Sequence, residues 1–318
     1  ERLLREENIP LRLSKDQCVF EKFDVVKKDG KPYTVYTPYK NKWLETLTPE
    51  HLKPASTNRY QDRFAKLKKI QKWSLQDIGF SPVLEEFPSK VVKRNVFSQY
   101  EEKRDFPALD ATSRLGVHLR FGTVSVRKCV SIGLKLSKTW VNELVWREFF
   151  MQILWHFPHT RNKSFRPKYD RIEWRNNEAE FEKWKTGQTG YALVDAGMRE
   201  LNTTGYMHNR VRMLVASFLC KHLLIDWRWG ETYFAEKLLD YDMSANVGNW
   251  QWAAGSGVDA APYFRIFNPM TQVEKFDKQK EYIKKWVPEL QELTYPAMMV
   301  DHKMARERCL KKYKEALA

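Results

Sequence analysis

Apolar positions recur at helical spacing through most of this chain, and only the first third breaks the pattern. Early on, the run near Leu11 to Leu13 reads as a short strand. Val19 to Val26 and Tyr33 to Tyr36 read as extended segments around an Asp29-Gly30 turn signal. Pro49 to Asn58 reads as loop, Arg59 to Trp73 as a basic segment poor in apolar residues, and Phe80 to Pro88, interrupted by proline, as a linker. From about Val91 the helical period takes over. It predicts helices over Thr112 to Lys128, Lys138 to Phe157, Glu178 to Lys185 and Tyr191 to Thr203, the last stopped by Thr204-Gly205. Tyr206 to Ile225 and Thr232 to Leu239 follow, and Lys275 to Ala318 reads as two charged surface helices. No internal repeat or low-complexity tract interrupts the series. The fold class expected is therefore mainly α.

Composition sharpens this picture in three ways. Glycine is scarce, at 13 of 318 residues, as a mainly helical chain requires. Twelve tryptophans and 14% aromatic residues point either to plain core packing or to a site for a flat aromatic ligand. Lys and Arg total 55 against 40 Asp and Glu, a formal charge of +15, which favours a polyanionic partner such as nucleic acid. Other classes fall away. No stretch is long and apolar enough to span a bilayer, and the first residues do not read as a signal peptide. Cys18, Cys129, Cys220 and Cys309 are too scattered for a disulfide framework or a zinc knuckle, which suggests a reducing, cytoplasmic setting. The histidines form no metal pattern; His156 and His159 flank Pro158. Gly255-Ser256-Gly257 is a lone fragment with no preceding strand, so a Rossmann dinucleotide site is not supported.

Four segments carry candidate chemistry. Trp140 to Phe157 is apolar on almost every side and so reads as a buried helix. On it Glu143, Trp146, Arg147 and Phe150 share one face, with Glu143 and Arg147 in the favourable order for an i, i+4 ion pair. Either that pair is structural or a carboxylate and an indole face a cavity. Thr112-Ser113-Arg114-Leu115-Gly116 places small hydroxyl residues at an expected helix start, which suits either an ordinary cap or a pyrophosphate held by free backbone N–H groups. Asn209 and Met213 lie one helical turn apart, with Arg210 and Arg212 adding positive charge, while His208 reads as a core histidine. Asp240 and Asp242 flank Tyr241, and Asn246, Trp250 and Trp252 follow closely. Those carboxylates could bond ribose hydroxyls or a cationic ring edge, or could cap a helix.

Taken together and in order, TSRLG, WVNELVWREFF, TGYALVDAGMRELNTTGYMHNRVRM, DWRWGETYF and LLDYDMSANVGNWQWAAGSGVDAAPYFRIFNPMTQ resemble the photolyase and cryptochrome family, most closely its class I cyclobutane-dimer photolyases. The resemblance runs from about Tyr33 to the end. It implies an all-helical FAD-binding domain over residues 83–318, preceded by a linker over 27–82 and, over 1–26, the remnant of an α/β antenna domain. The antenna pigment cannot be named. By matching position, Tyr100, Thr112, Ser113, Arg114, Leu115 and Gly116 would hold the phosphates and ribitol. Trp140, Glu143 and Arg147 would line the flavin and lesion cavity. Asp240, Tyr241 and Asp242 would bond the ring system and ribose, and Asn246 would face the redox-active ring nitrogen. Glu143, Trp146, Asn209 and Met213 would contact a flipped-out pyrimidine dimer, with Asn209 also near the cofactor. Arg104, Arg210, Trp252 and Gln272 would meet the lesion or nearby DNA backbone. Trp250, Trp227 and Trp174 would conduct electrons to the surface. The implied activity is a carbon–carbon lyase reaction on damaged DNA, in which light drives one electron from reduced FAD to the dimer and back. A protonated Glu143 in an apolar pocket would donate a hydrogen bond to the lesion. A monomer is expected from the family alone.

Two positions depart from the family pattern: Gly116 stands where serine is common, and Tyr206 where tryptophan is common. Three relatives compete with the dimer photolyase reading. A cryptochrome would typically carry Asp or Cys at position 246, and a (6-4) photoproduct enzyme two adjacent histidines where this chain has His208-Asn209. A DASH-type member fits the motif around Met207 to Met213 less well. The rival of another class is a basic nucleic-acid-binding domain with no cofactor.

Overall fold

The computed structural model describes residues 1–318 except 55, 66–71 and 82–86. The expected boundary between residues 82 and 83, and parts of the segments expected as loop, basic run and linker, fall outside the described residues. Eleven α-helices of six residues or more make up the described architecture: α1 (Tyr36–Thr46), α2 (Val126–Leu136), α3 (Lys138–His156), α4 (Glu178–Lys185), α5 (Ala192–Thr204), α6 (Asn209–Ser217), α7 (Trp227–Lys237), α8 (Met243–Ala254), α9 (Pro269–Phe276), α10 (Glu281–Trp286) and α11 (His302–Leu317). Local chemistry sets several boundaries. The Ser137 side chain accepts from Trp140 N at the start of α3, and Gly205 and Gly255 adopt left-handed φ values of 65° and 85° where α5 and α8 stop. No helix is long and apolar enough to cross a membrane among the described residues.

Two cores carry the helices. One gathers α4 to α8 and α10 around Trp184, Met198, Phe218, Trp227 and Trp250. The other gathers α1, α2 and α3 around Tyr39, Trp43, Val145 and Phe149. Helix α8 joins them by close approach. A Cβ on Gly248 would lie 2.2 Å from a Phe150 ring carbon on α3, and one on Gly230 of α7 would lie 2.1 Å from the Trp250 ring. Only glycine admits such contacts between a helix backbone and an aromatic ring.

The structure departs from the expected elements where side chains compete for backbone groups. Leu11 to Leu13 and Val19 to Val26 form no strand. The only β pairing among the described residues is one bridge, Val26 to Pro32, across the expected Gly30 turn. The N–H groups of Val19 and Phe20 go instead to the two carboxylate oxygens of Glu148 on α3, each at 2.8 Å. The expected helix over Thr112 to Lys128 is split. A five-residue helix, Gly116–Arg120, ends before a turn at Gly122, and Ser125 caps a new start. The expected run from Tyr206 to Ile225 begins only at Asn209, where His208 caps it, and widens into a π-helical turn over Phe218–His222. The last two helices lie at the surface as expected, but each also buries one face. Tyr282 and Ile283 of α10 and Cys309 and Tyr313 of α11 are buried.

Glu148 is the most heavily used carboxylate of this half. It is 1% exposed and also accepts the Trp43 indole N–H of α1 at 2.6 Å. It thus ties the early chain to α3, so residues 18–20 pack in the same core as α1 and α3. Burial pushes its pKa up to about 7, against the pull of its three donors. His208 is shifted the other way, to about 4, because burial and Arg212 disfavour its charge.

Two predictions follow from this pair. Glu148→Ala strands three buried donors and should cost roughly 3–6 kcal/mol, read as a large drop in melting temperature. On linkage, a carboxyl raised from 4.5 to about 7 loses stability as pH rises through that window, whereas a histidine lowered from 6.5 to about 4 loses it as pH falls. The two oppose each other between 4.5 and 6.5. Glu148→Gln should therefore be more acid-sensitive than the parent over that range, and parallel melting curves against pH would disprove it.

Candidate functional site

A cleft opens between α6, α8 and the connection Leu238 to Asp242. Its walls are Asn209, Arg212 and Met213 of α6, Asp240, Tyr241 and Asp242 of the connection, and Asn246, Asn249, Trp250 and Trp252 of α8. The empty space is about 610 Å³ counted to its open mouth, of which about 100 Å³ is roomy enough for water.

Each wall is fixed by contacts made behind it. Arg212 holds Asp240 with two hydrogen bonds, at 3.1 and 3.0 Å. Asp242 caps α8, accepting from Ala245 N at 3.2 Å and from the Ser244 hydroxyl. The capping reading of these acids is thus realised at Asp242, while Asp240 is an ion-pair partner. Arg120 donates to the Tyr241 carbonyl at 3.0 Å. Asn246 is buried. Its amide nitrogen donates to both the backbone carbonyl and the carboxylate of Glu231, each at 3.0 Å. Its Oδ1 has no hydrogen-bond partner among the described residues. An acceptor is therefore presented to the cleft in a fixed orientation.

The hydroxyl segment lies against this cleft without capping a helix. Leu115 is the cap residue of the short helix and offers no side-chain bond. Thr112 meets the Tyr206 hydroxyl at 3.3 Å, and Ser113 accepts from the Trp140 indole at 3.3 Å. Arg114 sits at φ 48° with its guanidinium over the Tyr206 ring. Gly116 abuts Asp240, where an added Cβ would stand 2.8 Å from a carboxylate oxygen. Serine at this position would press on Asp240 as Arg212 now holds it. Tyr100 is buried beside Arg104.

The face of α3 differs from its expected form. Glu143 and Arg147 do not pair. Arg147 donates to the carbonyls of Gln17, at 2.7 Å, and Leu119, at 3.2 Å, and Glu143 is taken by the Arg104 guanidinium. Glu143 thus has a guanidinium partner in this structure and does not stand alone among apolar side chains. Trp146 is half-buried among aromatic rings. It stacks on Tyr36, with ring centroids 3.5 Å apart and planes 6° apart, and lies near Phe150 at 5.6 Å. Arg210 bonds Asp105 at 2.6 Å and lies over the Phe276 ring. Gln272 lies on α9 and does not line the cleft. Trp250 and Trp227 are buried in one core, and Trp174 packs against its edge and against Tyr313.

Sequence reasoning missed Glu231, Arg120 and Asn249. Glu231 reaches Asn246 across 15 positions and a loop, a pairing that no local period encodes.

Comparison with known proteins gives a consistent answer. A family model described as the FAD binding domain of DNA photolyase matches residues 140–294, and one described as DNA photolyase matches residues 1–58. The deoxyribodipyrimidine photo-lyase of Vibrio cholerae serotype O1 is 39% identical, over 99% of this chain and 75% of that protein. The enzyme of the same name from Escherichia coli K12 is also 39% identical, over 99% and 74%. A solved class III photolyase from Agrobacterium tumefaciens superposes with a TM-score of 0.85 at 36% identity, over 99% of this chain and 75% of that one. A cryptochrome from Synechocystis superposes with a TM-score of 0.78 at 26% identity, over 98% and 74%.

The Asp240–Arg212 pair gives this site its own test. Asp240→Asn should cost about 2 kcal/mol, less than a fully buried pair because a fifth to a quarter of each side chain meets solvent. The loss appears as a lower melting temperature even in protein stripped of any bound small molecule. An unchanged melting temperature would show that the pair does not brace the cleft.

Proposed function

Because the chain belongs to the photolyase and cryptochrome family, we propose that it splits cyclobutane pyrimidine dimers in DNA, using FAD and light. The observation that carries this reading is Asn246. Its amide nitrogen is committed to Glu231, which leaves its carbonyl oxygen without a partner among the described residues, and it lines the same cleft as Asn209 and Met213. An aspartate or cysteine, as in plant and animal cryptochromes, would not accept Glu231's clamp in this form. Relatives at 39% identity are named deoxyribodipyrimidine photo-lyase. Class I membership is part of the proposal and rests on the quoted motifs. We likewise infer a monomer and a DNA partner carrying pyrimidine dimers.

The donor set fits FAD. Asp240, Asp242 and the Tyr241 backbone form a polar wall, the Asn246 oxygen is free, and the Thr112 and Ser113 hydroxyls lie beside Gly116. We assign the cofactor to these residues with Tyr100, Arg114, Leu115, Trp140 and Arg147. When bound and reduced, FAD supplies the light-driven electron. The chain's own tasks are placement and charge. Its net +15 draws duplex DNA and makes binding salt-dependent. A dimer must leave the stack to be reached, and a damaged pair is cheaper to extrude. Asn209 and Met213 line the cleft to meet it, and Trp252 offers an indole there. Trp146, stacked on Tyr36, would meet the dimer with the part of its ring that Tyr36 leaves open. Glu143 would serve the lesion through its Oε2 or by exchanging Arg104 for the lesion, since Arg104 engages only its Oε1. We assign Trp250, Trp227 and Trp174 to electron conduction through the core that Trp250 and Trp227 share.

Repair of ultraviolet-irradiated oligo-thymidine by the reduced protein should restore thymine absorbance under blue light and leave the dark control flat. No recovery from protein with flavin bound and reduced would overturn the dimer reading in favour of a cryptochrome or the other photoproduct. Purified protein without flavin absorbance would overturn the cofactor assignment.

A further inference from the structure

Four charged side chains form an alternating row that starts beside the cleft, where Arg210 touches the cleft-lining Met213. Arg210 of α6 donates to Asp105 Oδ1 at 2.6 Å. The same oxygen lies 4.0 Å from Arg104 Nε, and the far end of Arg104 grips Glu143 of α3. The row spans the gap between α6 and α3. Each of its groups is 20–38% exposed by side chain, so phosphate and solvent can reach them.

The row is electrically neutral, two positive charges against two negative, on a protein of net charge +15. Two arginines on the face that must meet DNA are thus committed to carboxylates of the protein itself. Neutralised guanidiniums contribute little to phosphate binding, and phosphate binding is what dominates attachment to undamaged duplex. Arg210 is held by more than Asp105, since its guanidinium lies 4.4 Å over the Phe276 ring and its NH1 is 3.9 Å from Met213 Sδ, a cleft-lining atom.

We propose that Asp105 is a positioning residue for damage recognition: it holds Arg104 and Arg210 away from undamaged DNA and, through Arg104, keeps Glu143 engaged until a dimer enters. The inference rests on the dimer-repair reading above. Entry of a dimer offers Glu143 a new partner, and the backbone around an extruded dimer offers phosphates to both arginines. Undamaged duplex presents phosphates but nothing for Glu143, so the row must be broken at one end without return. Discrimination arises from a cost against the wrong partner.

The test is the ratio of affinities for irradiated and unirradiated oligo-thymidine duplexes, measured with the flavin-loaded protein across a salt series. Asp105→Asn should bind undamaged duplex more tightly and steepen the salt dependence by about one unit of slope. It should lower the damaged-to-undamaged ratio about fivefold or more, with flavin absorbance and melting temperature as controls for folding. Asp105→Glu, which keeps the charge, should restore most of the ratio. A ratio and slope in Asp105→Asn equal to the parent's would overturn the proposal, as would an Asp105→Glu protein indistinguishable from Asp105→Asn. A parent protein with no preference for irradiated DNA would instead remove the dimer reading, and this inference with it.

Discussion

Helix α3 must present Trp140, Glu143, Trp146 and Arg147 toward one side, and nothing in its own composition fixes that rotation. It is apolar nearly all round, so hydrophobic burial alone would accept several orientations. Glu148 breaks the tie. One residue beyond Arg147, it points about 100° away and finds three N–H donors fixed in space, from Val19, Phe20 and Trp43. Rotating α3 would strand all three donors and the carboxylate at once. The anchor sits on the far side of the helix from the chemistry, which lets it hold the register without entering the cleft. Arg147 adds a second tie to the same early segment through the Gln17 carbonyl.

The cleft between α6 and α8 is held by a different logic. Helices α6, α7 and α8 pack through glycines and aromatic rings, which fixes their spacing but says little about polar side chains. Those are set pairwise: Arg212 with Asp240, Glu231 with Asn246, Arg120 with the Tyr241 carbonyl. Of these, the Asn246 pair leaves one polar atom, its Oδ1, without a partner among the described residues. Preorganisation of this kind spares the reorganisation that water would otherwise exact when charge appears.

Much of the helical half was legible because its period is strong and its stops are chemical. Glu178–Lys185 falls where its pattern ends, and Gly205 stops α5 as the Thr204-Gly205 signal requires. Errors cluster where a side chain claims a backbone group. His208 delays α6, Gly122 and Ser125 split one expected helix in two, and Glu148 takes the donors that Val19 to Val26 would have given a strand. The site was legible as a set of residues but not as a set of partners. Glu143 with Arg147 follows from i, i+4 spacing, yet Arg104, 39 positions away, wins the carboxylate. Helical spacing permits that local pair but contributes only about 0.2–0.5 kcal/mol. A competing guanidinium fixed by the fold needs little more than proximity to prevail.

The buried tryptophans illustrate how packing and chemistry can share residues. Trp250 supports Gly230 and Phe234 by contact, so core packing alone explains its burial. The same burial suits the electron conduction proposed for it, since a ring held in a dry, rigid core needs little reorganisation when its charge changes. The indole N–H of Trp227 has no hydrogen-bond partner among the described residues. A polar atom left bare in a core is a cost to folding. A hydrogen bond there would stabilise a positive charge on Trp227 and hold it in place. Under the conduction proposed above, leaving the group bare would keep that charge mobile, so the small loss in stability and the proposed role would come from the same omission.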